Sequence, residues 1–166
     1  MKNIAIVGCG GMGGGHAIAI ASGTGNAIWA GVPGQKEGKL QETDSDIGGL
    51  LRLAGICDID PARVDWARER GYRIYDTYQD ILDDPNVDIL FIATPNHLHK
   101  EEAISAMRAG KHVLCEKSVM MGSAELEEVM AVAAETGKVF YPRQNRRWTR
   151  TTSSPKRFWR TMWPVS

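Results

Sequence analysis

Six of the eight residues from Gly8 to Gly15 are glycine, and they follow directly on the short apolar run Asn3 to Val7. Helix stability is no reason for them, since Gly13, Gly14 and Gly15 together cost a helix roughly 2–3 kcal/mol relative to alanines. An apolar run that ends in glycines suits a buried parallel strand feeding a tight turn. A helical stretch then follows over residues 12–22.

The same rhythm continues along the chain. Leu53 to Cys57 reads as a second strand, followed by a helix over Pro61 to Arg70 with Asp60 as its cap and proline in its first turn. Arg73 to Tyr75 reads as a third short strand, and Tyr78 to Leu82 as one or two helical turns. Val87 to Ala93 is apolar on both faces after Asp88, which calls for helices on both sides. Pro95 closes it, a helix from His97 to Ala109 stops at Gly110, and His112 to Cys115 is a fifth strand. Ser123 to Thr136 is amphipathic, with Glu125, Glu127 and Glu128 near its positive start, and Val139 to Tyr141 is a sixth strand. Strands alternating with helices at short spacing imply right-handed crossovers and a doubly wound parallel α/β sheet. Residues 23–52, rich in Gly, Pro and Gln, break the rhythm and read as a long inserted loop.

Composition limits what such a sheet can serve. Apolar runs such as Ile89 to Ala93 are far short of the roughly 20 residues that cross a bilayer, so no membrane role is expected. The glycines also interrupt any signal-peptide-like apolar region. Three cysteines, Cys9, Cys57 and Cys115, are too few and too scattered for a disulfide framework or a zinc motif, and reduced cytoplasmic thiols are expected. The 20 basic and 20 acidic side chains cancel, which argues against a dedicated nucleic-acid binder.

Gly8-Cys9-Gly10-Gly11-Met12-Gly13, between the first strand and its helix, has the G-x-G-x-x-G pattern in the context that gives it meaning. Gly8 permits the turn, Gly10 lets backbone approach a pyrophosphate, and Gly13 lets helix and strand pack closely. The helix start offers unpaired N–H groups to phosphates. A glycine-rich turn without a ligand is the bland alternative, and Met12 fits packing as well as contact. Asp58, directly after the second strand, can accept from a ribose 2′-hydroxyl or serve the next helix as a cap. A carboxylate there repels a 2′-phosphate and favours NAD over NADP. Thr94, Pro95, Asn96, His97 and His99 lie past the carboxyl end of the fourth strand, beside the switch point where open sheets bind ligands. Of these, Asn96 and His97 can face a nicotinamide or cap the following helix, and His99 can cap it. Glu116 and Lys117 end the fifth strand. The lysine can point into the same crevice and polarise a hydroxyl or carbonyl, or it is a solvated surface lysine.

Four segments together resemble the amino-terminal half of the glucose-fructose oxidoreductase, inositol dehydrogenase and MocA (Gfo/Idh/MocA) family. They are the glycine motif, Cys57-Asp58-Ile59-Asp60, Ile92-Ala93-Thr94-Pro95-Asn96-His97-Leu98-His99 and Ala109 to Lys117. The likeness runs from residue 1 to Trp148, through Gln144-Asn145-Arg146-Arg147-Trp148, with the inserted loop set aside. It implies a Rossmann domain over residues 1–142 and a linker starting at 143–148. It also implies an NAD(P)-dependent oxidoreductase acting on sugars, cyclitols or related hydroxyl compounds. On this resemblance Lys117 is the catalytic lysine, and Gly8, Gly10, Gly11, Met12, Gly13, Asp58, Thr94, Pro95, Asn96, His99 and Glu116 bind the cofactor. A homo-oligomer is implied for the full-length form. Where the family has Glu-Lys-Pro, this chain has Ser118 after the lysine, and the residue that would fix the backbone there is gone.

The family continues into a second, largely β-sheet α/β domain, which this chain is expected to lack. Residues 149–166 are unlike it, with four basic residues and no acid. A single base placed before the Thr149 codon turns Trp159, Trp163 and Pro164 into Leu, Val and Ala in any coding, and one permitted coding then gives an amphipathic helix. A frame-shifted tail on a truncated dehydrogenase is therefore expected, and resequencing the gene across Trp148 checks it. The alternative function is a non-catalytic NAD-binding module. The basic and aromatic residues from Arg143 to Trp163 could instead stack on bases, but an out-of-frame segment gives the same look and no nucleic-acid partner is expected.

Overall fold

The computed structural model describes residues 1–23 and 49–143; the expected linker beyond Arg143, the tail 149–166 and most of the inserted loop lie outside them. Five strands form one parallel sheet: β1 (Lys2–Val7), β2 (Leu51–Cys57), β3 (Ile89–Ile92), β4 (His112–Cys115) and β5 (Phe140–Pro142), in the order β2-β1-β3-β4-β5. The order reverses between β1 and β3, so a crevice opens at their carboxyl ends. Helices α1 (Gly11–Ala21) and α2 (Pro61–Glu69) pack on one face. Ile4, Ile6, Ile56, Phe91, Ala17, Ile20 and Trp66 share that core. Helices α3 (Tyr78–Asp83), α4 (His99–Arg108) and α5 (Ser123–Thr136) cover the other, around Val7, Leu90, Ile92, Val113, Met107 and Val129. β3 thus has helices on both sides, as its two-sided apolar pattern requires.

The register between β1 and β2 slips once. Ile4 pairs with Leu53, whereas Ala5 pairs with Gly55, so Ala54 is left as a bulge. Tyr75 lies directly over this point: a Cβ on Gly55 would come within 2.6 Å of its ring.

Four expectations need correction. Arg73 to Tyr75 is not a third strand but a single bridge, Ile56 to Ile74. Its extension is cut short because Thr77 starts α3 with a reciprocal cap, its hydroxyl accepting from the Asp80 amide while the Asp80 carboxylate accepts from the Thr77 amide. The inserted loop ends before residue 52, since β2 already pairs from Leu51. The helix expected from His97 is split: Asn96–Leu98 is a 3-10 turn and α4 begins at His99. The last strand is shifted by one residue and takes in Pro142, which an edge strand tolerates.

At the amino ends of the strands, Asp84 gathers four donors on its carboxylate. The Tyr75 hydroxyl and Arg73 guanidinium donate to Oδ2, both at 2.8 Å, and the Asn86 amide and side chain donate to Oδ1 at 2.9 and 3.1 Å. Buried Lys111 donates to its carbonyl. The Asn86 backbone bond, then the Tyr75 hydroxyl, hold the Asp84 carboxyl down from 3.8 to about 2. Because the folded value lies below the unfolded one, the stability it lends is complete above pH 3.8 and is lost as pH falls toward 2. Asp84→Ala should therefore cost about 2–3 kcal/mol at neutral pH. Thermal melts at neutral pH and near pH 3 check this, the difference between variant and parent narrowing in acid.

Candidate functional site

The carboxyl ends of β1 to β4 bring most of the expected residues to one edge. Main-chain bonds continue past the strands: Gly8 donates to the Cys57 carbonyl, Ala93 to Val7 and Glu116 to Ile92, each at 2.9 Å. Gly8 has φ +85°, and a Cβ there would lie 2.7 Å from the Ala93 carbonyl group. A Cβ on Gly13 would lie 1.8 Å from the Gly8 carbonyl oxygen. Both glycines are thus demanded by the close packing of turn, helix and β3. Gly10 differs, since a Cβ on it would meet nothing within 4 Å. The space above it is open, and packing alone gives no reason for glycine there.

That open backbone sits at the start of α1. Gly10 provides no side-chain cap, and the first turn carries no acid. Among the described residues no acceptor meets the leading N–H groups of Gly11, Met12 and Gly13 at the start of this 11-residue helix. Asp58 stands beside it, one oxygen accepting from the Cys9 amide at 2.5 Å and the other from the Asp60 amide at 2.8 Å. The helix cap itself is Asp60, which accepts from Ala62. Of the two readings of Asp58, the capping one is taken by its neighbour. A pyrophosphate on the bare backbone and a ribose near the carboxylate suit this donor set.

The opposite wall comes from the end of β3. The Thr94 hydroxyl donates to Glu102 of α4 at 2.6 Å; burial raises the Glu102 carboxyl and this bond opposes the rise. Pro95, Asn96 and His97 are exposed on the 3-10 turn, and neither that turn nor α4 has a side-chain cap. The capping alternative for Asn96, His97 and His99 is not realised. His99, expected among the cofactor contacts, is 0% exposed. Its Nε2 lies 2.9 Å from the Thr94 carbonyl and its Nδ1 3.0 Å from that of Ser118, so it sits between two loops beneath the surface.

Lys117 is exposed at the mouth, and the Lys117–Ser118 peptide is cis. Glu116 is buried and engaged on both oxygens, which leaves it no free surface toward the crevice. Oε1 accepts from His16 of α1 at 3.2 Å and from Arg143 at 2.8 Å, and Oε2 from the Lys117 amide at 3.2 Å. Burial pushes the Glu116 carboxyl up, but the His16 bond and the Arg143 charge outweigh it and leave it below its usual range. Burial likewise lowers His16, beyond what Glu116 restores. The histidine is therefore a neutral donor at pH 7, and the ion pair in the cluster is Glu116 with Arg143. Neither His16 nor Arg143 was expected at the site. The cysteines supply no nucleophile: burial pushes Cys9 and Cys115 up to about 12 and Cys57 to about 11, so all three stay thiols.

Folding of His16 has a pH signature. Its folded value lies below the ordinary 6.5, so its stabilisation is full above that pH and is lost as pH falls through the folded value. Melting temperatures at pH about 7.5 and about 5.5 should drop less in His16→Gln than in the parent.

An open parallel sheet with a glycine turn at its switch point, an uncapped helix start and a carboxylate after the second strand defines a dinucleotide-binding domain. The chain belongs to the Gfo/Idh/MocA oxidoreductases: the family model described as "Oxidoreductase family, NAD-binding Rossmann fold" matches residues 2–144. It is similar to the 1,5-anhydro-D-fructose reductase of Ensifer adhaerens, 43% identical over 61 residues, which are 37% of this chain and 18% of that one. Among solved structures it is similar to an NAD-binding protein from Listeria innocua, with 39% identity and a TM-score of 0.70 over 89% of this chain and 36% of that one. It also resembles a myo-inositol 2-dehydrogenase from Lactobacillus plantarum, with 28% identity and a TM-score of 0.67 over 90% and 38%. The chain thus spans well under half the length of these relatives. No described helix is long and apolar enough to cross a membrane.

Proposed function

We propose that this chain is the cofactor-holding part of a dehydrogenase that exchanges hydride with a hydroxyl-bearing carbon of a sugar, cyclitol or related polyol. The observation that carries the reading is the open backbone of Gly10 at an uncapped helix start, with Asp58 alongside. Gly8, Gly10, Gly11, Met12 and Gly13 cradle the pyrophosphate on backbone, and Asp58 takes the adenosine ribose. Thr94, Pro95 and Asn96 form the wall toward the nicotinamide, with His99 and Glu116 behind it. When bound, the nicotinamide ring supplies or accepts the hydride. Lys117 meets the substrate oxygen and stabilises the charge that gathers there. Relatives that act on anhydrofructose and inositol support the substrate class.

NAD is the cofactor on this reading, because a 2′-phosphate would face the Asp58 carboxylate. Fluorescence titration should show NADH binding at least about tenfold more tightly than NADPH, and Asp58→Asn should narrow the gap. Equal binding of the two would remove the NAD preference, and no binding of either would remove the cofactor reading. A second reading, a module that holds NAD without turnover, is favoured by the bare Lys117 ammonium, for which the described residues provide no hydrogen-bond partner. Oxidation of myo-inositol or glucose by the chain with NAD decides between the two.

A further inference from the structure

Lys117 carries the chemistry in the proposed function, yet its side chain is exposed and makes no hydrogen bond or ion pair within the described residues. A free lysine side chain spreads over many rotamers, and whatever aims it has to act through its backbone. Two buried groups do hold that backbone. On the amino side, Glu116 Oε2 accepts the Lys117 amide at 3.2 Å. Its other oxygen is clamped by His16 at 3.2 Å and Arg143 at 2.8 Å. On the carboxyl side, His99 Nδ1 stands 3.0 Å from the Ser118 carbonyl, and its Nε2 stands 2.9 Å from that of Thr94.

The anchors come from opposite faces of the sheet. His16 belongs to α1 and packs edge-on against Phe91, with ring centroids 4.8 Å apart. His99 opens α4. Arg143 is itself fixed, its amide donating to the Cys115 carbonyl at 2.7 Å as β5 ends. A polar cluster this deep is costly unless each member is paired. Packing alone would be served better by apolar residues. The arrangement does something packing does not: it ties the segment after β4 to the helix that starts at the glycine turn.

We propose that His16 and Arg143, acting through Glu116, are positioning residues that set the backbone of Lys117, with His99 as the second anchor. This rests on the reading of Lys117 as the residue that meets substrate. Glu116 then acts on the lysine's main chain, and its ionised carboxylate is the hinge pin between cofactor helix and catalytic segment.

The test compares paired variants of the whole chain. His16→Leu fills similar space against Phe91 but donates nothing, whereas His16→Gln keeps a donor; Arg143→Met and Arg143→Lys form the second pair. The readouts are hydrogen exchange of the Lys117 amide by NMR, with the Leu90 amide as a core control, and NADH affinity by fluorescence. His16→Leu and Arg143→Met should each speed Lys117 exchange about tenfold and weaken NADH by about tenfold, with Leu90 unchanged. His16→Gln and Arg143→Lys should stay within about twofold of the parent. Lys117 exchange that is unchanged in both apolar variants, or equal in leucine and glutamine variants, overturns the proposal. Arg143 is partly exposed at a strand end, so its variants read out even where a His16 variant folds poorly. Failure of the parent chain to bind NADH would end the cofactor reading, while the exchange pattern would still decide the positioning role.

Discussion

Gly13→Ala should fail to give a stable domain. The added carbon would sit 1.8 Å from the Gly8 carbonyl oxygen, and both partners are backbone, so no side chain can swing aside. Either α1 lifts from β1 or the turn opens. The first exposes Ala17 and Ile20 from the core they share with Ile4 and Phe91. Overpacking costs about 1–3 kcal/mol where side chains can adjust, and a backbone collision should exceed about 3 kcal/mol. Against the narrow stability of a domain this size, that is a large share of the total. Circular dichroism melting is the measurement, and a melting temperature close to the parent's would mean that helix and turn do not meet as described.

Gly10→Val should behave in the opposite way. Its backbone, at φ −66° and ψ −163°, suits any residue, and the side chain would enter open space, so the melting temperature should hardly move. Cofactor affinity should fall about a hundredfold, because charge-assisted bonds from backbone amides to phosphate are each worth about 1.5–3 kcal/mol and the valine holds the phosphates away. Fluorescence titration with NADH reads it. Unchanged affinity would show that the backbone at Gly10 is not where phosphates sit. Together the two glycines separate what the turn owes to folding from what it owes to binding.

The parts of this arrangement legible in the sequence are those with a local cause. The two-sided apolar run before Pro95 fixed β3, Pro61 behind Asp60 fixed the start of α2, and the spacing of Gly8, Gly10 and Gly13 fixed the turn. Arg73 to Tyr75 looked like a strand because its residue types suit one. Pairing was ended by the cap at Thr77 and by the commitment of Tyr75 to Asp84, neither of which a strand pattern contains. His16 and Arg143 escaped notice for a different reason. They are 100 and 27 residues from Glu116, and only the strand order brings them to it. A histidine in the glycine-rich stretch that opens α1 was a signal of a kind, since the other buried residues of that helix are Gly, Ala and one Ile. His99 was placed at the site but on the wrong side of its wall, because sequence does not say which way a helix's first residue turns.

The unpaired Ala54 sets the phase of everything downstream in β2. Leu51 and Leu53 lie against α1 and α2, and so does Ile56, three positions on where strict alternation would put it on the far side. Cys57 accordingly joins the α3–α5 side, and Asp58 emerges toward the glycine turn, where it reaches the Cys9 amide. Were Ala54 paired in the ladder as an ordinary strand residue, strict alternation would carry Ile56 to the far side and aim the carboxylate at the wrong side of the sheet. A misstep of a single alanine thus chooses which half of the molecule can recognise a ribose.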